Sequence, residues 1–83
     1  MTGRRLSDGR YRLNEKGRIV CEFDLGTEVM VHVKNRKRFI KGKICGVSGY
    51  HKDEVSIIHV RDLRHDHDSA IKLDSIESLE VMD

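Results

Sequence analysis

The sequence predicts a mostly β domain, a small antiparallel barrel of five to six strands. Apolar residues recur at every second position from Ile19 onward, which is the period of a half-buried strand. The chain contains no proline and no long apolar stripe at helical spacing. Short polar segments separate the apolar runs, and strands joined by such turns are typical of small antiparallel barrels. A chain of 83 residues has room for one core.

The N-terminal part is expected to combine a tail with a hairpin. Residues 1–9 lack an apolar pattern and are predicted to be a flexible tail, so that residues 10–83 form the single domain. Arg10–Leu13 is predicted to be a short strand, followed by a turn over Asn14–Gly17. The next strand is expected to direct three residues to one face: Ile19, Cys21 and Phe23.

The middle of the chain contains the clearest strand pattern. Valine occupies alternate positions from Val29 to Val33, with polar or flexible residues between. A basic turn over Lys34–Arg38 leads into a strand that contains Gly42 and Gly46. Two glycines within one strand indicate a bulge or a strong bend, as a small barrel needs where a strand turns a corner.

The C-terminal part is expected to add two strands, a short capped turn and a closing strand. The strands are predicted at residues 55–60 and 70–73, the turn at 74–77 and the closing strand at 79–81. Five residues are expected in the core: Val29, Val31, Val33, Ile44 and Ile57.

The net charge of +2 conceals an uneven distribution. Residues 1–45 carry twelve Lys/Arg against five Asp/Glu, a balance of +7, whereas residues 46–83 carry four against nine, a balance of −5. Such asymmetry favours an anionic partner for one face, or attraction between two faces in a homo-oligomer.

The densest basic segment is the candidate binding surface. In a strand–turn–strand, Lys41 and Lys43 share one face, and the turn adds further cations that suit the phosphates of a nucleic acid. Phe39 is placed to stack on a base, or else belongs to the core. A solvated hairpin tip that protects a sheet edge is the alternative interpretation of the charges. The candidate nucleic-acid-binding residues are Lys34, Arg36, Lys37, Arg38, Phe39, Lys41 and Lys43.

Other chemistries find little support in the sequence. The segment His65-Asp66-His67-Asp68 contains zinc or nickel ligand types, but we expect it to be a mobile polar loop and predict no metal site and no cofactor. Two Phe, two Tyr and no Trp argue against an aromatic cage. Without a Gly-rich phosphate loop or a nucleophile motif, we expect no enzymatic activity.

From residue 25 to 81 the pattern resembles the Sm-like barrels, and next the Tudor and Src-homology-3-like barrels. The resemblance rests on alternate valines from Val29, the glycine in Phe39-x-x-Gly42-x-Ile44, and the later run Asp53-x-Val55-x-Ile57. It is similar to the bacterial RNA chaperone Hfq and the Rho inhibitor Rof, and implies a small barrel that binds RNA. The Lys-His pair that contacts uridine in Hfq-like proteins is replaced by Leu73-Asp74, so no uridine site is carried over.

The sequence therefore predicts a regulatory nucleic-acid-binding module, with RNA favoured over DNA. The alternative is a protein–protein adaptor or inhibitor, phage- or plasmid-borne, that docks through its acidic C-terminal half, residues 46–83. Cys21 and Cys45 lie in apolar runs without metal spacing and suit buried, reduced thiols in the cytoplasm, with a single disulfide as the alternative. No segment is apolar enough to span a membrane. The acidic residues of the alternative are Asp53, Glu54, Asp62, Asp66, Asp68, Asp74, Glu77 and Glu80.

Overall fold

The computed structural model describes residues 1–82 as nine strands and one 3-10 turn. This confirms the mostly β, antiparallel class, but the strands number nine rather than five or six because the N-terminal segments form a second sheet. No helix in this part of the chain has the length and apolar character needed to cross a membrane. The strands are β1 (Thr2–Arg5), β2 (Tyr11–Glu15), β3 (Arg18–Phe23), β4 (Glu28–Val33), β5 (Phe39–Ser48), β6 (Glu54–Val55), β7 (Ile57–Asp62), β8 (His67–Lys72) and β9 (Ile76–Val81). The 3-10 turn, Leu73–Ser75, joins β8 to β9.

The strands form two antiparallel sheets. One has the order β3-β2-β1-β6 and the other the order β8-β7-β5-β4-β9. In the second sheet β4, β5, β7 and β8 follow one another as neighbours, and the 3-10 turn returns β9 to the far side of β4. Among the described residues β8 and β9 are the edges of this sheet, and no ladder joins them.

Both sheets contribute to one apolar core. The alternation in β4 buries Val29 and Val31 completely, and Val31 lies between Ile40 of β5 and Leu79 of β9. No polar or charged residue among 1–82 is buried, so burial of apolar surface is the main stabilising term. The buried hydrophobic residues are Tyr11, Leu13, Phe23, Val29, Val31, Ile44, Val55, Ile58, Val60, Ile71, Leu73, Ile76 and Leu79.

The expected core differs from the observed one at the end of β4 and in β7. Val29, Val31 and Ile44 are fully buried as predicted, whereas Val33 at the end of β4 is only partly buried. In β7, Ile57 is only partly buried and Ile58 takes the core position. The expected alternation from residue 55 is interrupted at Ser56, which lies between β6 and β7 and donates its backbone N–H to Ser48. A break of one residue moves every later side chain to the opposite face.

In β3 a bulge likewise changes which side chains face the core, compared with the expected alternation. Phe23 is buried and Cys21 partly buried, but Ile19 is 59% exposed, so the three do not share one face. The β2–β3 register shifts between Leu13 and Asn14, which leaves Val20 unopposed and turns Ile19 outward.

The structure also differs at the N-terminus, where the sequence predicts a tail over residues 1–9. Strand β1 lies between β2 and β6 and is held by backbone pairing on both sides. Gly3 lets this strand approach the core, since a Cβ there would lie 2.7 Å from Val55 Cγ2 and 2.9 Å from Leu73 Cδ1.

Candidate nucleic-acid interface

The seven candidate residues lie on one hairpin, formed by β4, the turn over residues 34–38 and the first part of β5; we call it the basic hairpin. All four turn cations are exposed. Along β5, Phe39, Lys41 and Lys43 are exposed and alternate with the inward positions Ile40 and Gly42. Successive outward residues of a strand are about 7 Å apart, so the two lysines and the phenylalanine form a row below the turn.

The turn is held in place by two backbone hydrogen bonds. The Arg36 N–H donates to the Val33 carbonyl at 3.2 Å, and Asn35 adopts the left-handed conformation with φ of 65°. The Lys34 N–H donates to the Ser75 carbonyl at 2.8 Å, which ties the turn to the 3-10 turn. These contacts order the backbone of the turn, so its cations are presented from a defined scaffold.

His32 supports the turn from β4. Its Nε2 lies 2.8 Å from the carbonyl oxygen of Arg36, and because a carbonyl only accepts, this ring nitrogen carries a proton and donates. The same ring packs against Phe39 with centroids 4.8 Å apart and planes at 39°. The sequence analysis did not select His32, although its outward position on β4 opposite Phe39 follows from the strand register.

Phe39 is a surface residue. The residue is 54% exposed, which excludes a core role, and it lies on the same side of β5 as Lys41 and Lys43. A large apolar side chain fixed among cations in this way offers a stacking surface for a base.

The six cations of the basic hairpin form no ion pair within residues 1–82. By contrast, Arg12 contacts Glu22 at 2.8 Å, Arg10 lies 3.5 Å from Asp24, and Arg61 contacts two aspartates. The cations are densest at the turn, where four lie within residues 34–38, whereas further along β5 Lys43 stands opposite Glu28 of β4.

The acidic turn between β7 and β8 lies beside the basic hairpin, so the charge halves of the sequence do not occupy separate faces. Arg61 donates to Asp66 and to Asp68, and the hydrogen bond to Asp66 raises the pKa of Arg61. The hydrogen bond with the His65 ring, at 3.0 Å, is the main cause that lowers the pKa of Asp62. Much of this acidic charge is therefore compensated locally.

An open cleft of about 680 Å³ lies between the basic hairpin and the hairpin formed by β7 and β8. Phe39 and Arg38 line it from the basic hairpin, while Leu63 and Arg64 line it from the β7–β8 turn. Asp62 shapes this turn by accepting the Arg64 N–H at 2.8 Å. The sequence analysis missed Leu63 and Arg64; an apolar residue next to an arginine in an otherwise polar loop was the available signal.

The described residues do not meet the requirements of a metal site. Among residues 1–82 no three His, Cys, Asp or Glu side chains are placed to hold a metal ion. The side chains of Asp66 and Asp68 from the expected polar loop are engaged by Arg61 instead.

A second group of cations lies on the other sheet. Arg4, Arg5 and Arg12 line a shallow depression of about 560 Å³ together with Asp53. Arg4 stands directly opposite Arg12 across the β1–β2 pair, where like charges oppose each other, but Arg12 is neutralised by Glu22. This group adds to the positive field and lacks an exposed apolar partner.

Comparison with protein-family models, with curated proteins and with solved structures finds no match to this chain.

Proposed function

We propose that this chain is a small regulatory module that binds nucleic acid through the basic hairpin and catalyses no reaction. The supporting observation is the set of six cations on one braced hairpin that form no ion pair within residues 1–82. Neighbouring cations repel one another, and the phosphates of a nucleic acid relieve that repulsion when they bind. Binding also releases the counterions condensed on the nucleic acid.

We also propose that the two sheets form a barrel of the Sm-like or Src-homology-3-like kind. The order β8-β7-β5-β4-β9, the 3-10 turn before β9 and the bend of β5 support this proposal. A small barrel of this kind presents its loops and outer strands to ligands, as the basic hairpin does here.

RNA is placed ahead of DNA because Phe39 offers its face to an unpaired base, and sequence-tolerant RNA readers stack bases on such side chains. The two cysteines are unbridged, which supports a cytoplasmic location, although Cys21 is only partly buried and Cys45 is exposed rather than buried as expected. Homo-oligomerisation through exposed sheet edges stays a prediction that light scattering at low and high salt can check.

The experiment is a salt series of binding to single-stranded RNA with the double variant Arg36→Glu and Lys37→Glu. We expect weaker binding to all sequences. We also expect a shallower dependence of log K on log salt concentration, by about 1.4, because about two fewer counterions are released from a single strand.

The matched control reverses Lys16 and Arg18 to Glu at the β2–β3 turn, which gives the same change in net charge on another hairpin. We expect this control to keep most of the wild-type salt slope. Equal losses in the two variants would contradict binding by the basic hairpin and indicate only a response to net charge. RNA binding that is unaffected by either variant would also contradict the basic hairpin as the contact surface, whereas absence of wild-type binding would favour docking of a protein through the acidic residues.

A further inference from the structure

The cleft between the basic hairpin and the β7–β8 turn contains two of the most exposed large apolar side chains of the described chain. Phe39 is 54% exposed and Leu63 is 57% exposed. They come from different hairpins and line the same cleft, with Met30 of β4 also at its wall. Single exposed apolar residues are ordinary. Two at one concave site form a surface whose burial by an apolar ligand is energetically favourable.

The rim of the cleft carries a net positive charge, because three cations line it beside the two carboxylates of Glu28 and Asp62. Arg38, Lys41 and Arg64 line it, and none of them forms an ion pair within residues 1–82. The Asp62 carboxylate at the same site is occupied by the His65 ring and by the Arg64 N–H. A ligand that complements this arrangement carries a flat apolar group for the interior and negative charge for the rim.

Both walls are positioned before any ligand arrives. The His32 ring packs against Phe39, and the hydrogen bonds of Asp62 set the conformation that presents Leu63. Walls that are ordered in advance lose little conformational freedom on binding, so more of the contact energy contributes to affinity. The volume of about 680 Å³ lies within the range of about 300–1,000 Å³ for ligand clefts.

We infer that this cleft receives one unpaired nucleobase between Phe39 and Leu63, with the flanking phosphates on Arg38, Lys41 and Arg64. A base within a duplex is stacked on both faces and cannot enter, whereas a single strand or an RNA loop can turn a base outward. The inference rests on the proposed function and specifies its ligand as single-stranded.

The test measures fluorescence anisotropy with a labelled RNA strand, free and annealed to its complement, for wild type and for Leu63→Ala and Phe39→Ala. Loss of the Phe39 ring should weaken binding of the free strand about 5- to 150-fold, and loss of the Leu63 side chain about 5-fold or more through lost apolar contact, with the salt slope unchanged in both. Binding of the annealed duplex should change little. Leu25→Ala is the matched control, because Leu25 is 54% exposed and does not line the cleft; it should bind as wild type.

Circular dichroism verifies that each variant is folded, and Leu63→Ala carries the test if Phe39→Ala unfolds. Wild-type affinity of Leu63→Ala for the free strand, or equal losses for the strand and the duplex, would overturn the inference while the basic hairpin still binds. Failure of the proposed function has a different signature, because wild type would then bind neither form.

Discussion

Replacement of Gly42 by alanine tests the geometry that supports the basic hairpin. A Cβ at this position would overlap the carbonyl oxygen of Arg61 and lie 2.7 Å from its carbonyl carbon and 3.2 Å from Asp62 Cα. These are backbone atoms, so no side-chain rotation relieves the clash and β5 must move away from β7. Overpacking costs about 1–3 kcal/mol, and we expect about 3 kcal/mol here because backbone must shift. A chain of this size has a total stability of about 4–12 kcal/mol.

Gly46→Ala is the control within the same strand. Its Cβ would meet only His59 Cδ2 at 3.8 Å, an ordinary contact, and alanine within a strand is favoured over glycine by about 0.5–1 kcal/mol. Urea unfolding followed by circular dichroism should therefore move the two midpoints in opposite directions, or leave Gly46→Ala unchanged. Equal destabilisation by both, or wild-type stability of Gly42→Ala, would refute the close approach of β5 and β7.

Three further outcomes follow from burial and protonation. Val31→Ala should cost about 1–3 kcal/mol, whereas Val20→Ala at a 37% exposed position should cost less than about 0.5 kcal/mol; similar losses would contradict the assigned strand face. The pKa of Asp62 is lowered, so its contribution to stability is present above its usual pKa of 3.8 and is lost as pH falls through the lowered value; Asp62→Asn should remove this part of the pH dependence of unfolding. Burial raises the pKa of the Cys21 thiol, so iodoacetamide should label the exposed Cys45 first, and the reverse order would contradict the structure.

The parts of the fold that follow from local pattern were predictable. The alternate valines of β4 specify a half-buried strand by themselves, and Val29 and Val31 are buried as expected. The glycines of β5 indicated the irregularity that the structure shows as a register shift between Ile44 and Gly46.

The parts that depend on distant pairing were not predictable. Strand β1 has no apolar alternation of its own and exists because β2 and β6 pair with it on both sides. The core position of Ile58 rather than Ile57 depends on a break at Ser56 that leaves no sign in the hydrophobic pattern. Similarly, the cations of the basic hairpin all lie within residues 34–43 of the sequence, whereas Leu63 joins them only through the packing of the sheet.

A salt-series titration of the wild-type protein with single-stranded RNA and with duplex DNA tests the central claim most directly. If six cations of the basic hairpin neutralise phosphates, log K for the single strand should fall linearly with log salt concentration, with a slope of about −4. Binding should be clear at about 50 mM salt and weaken strongly by about 200 mM. Absence of affinity for both nucleic acids at about 50 mM salt would contradict the account, and the acidic residues would then be the surface to mutate.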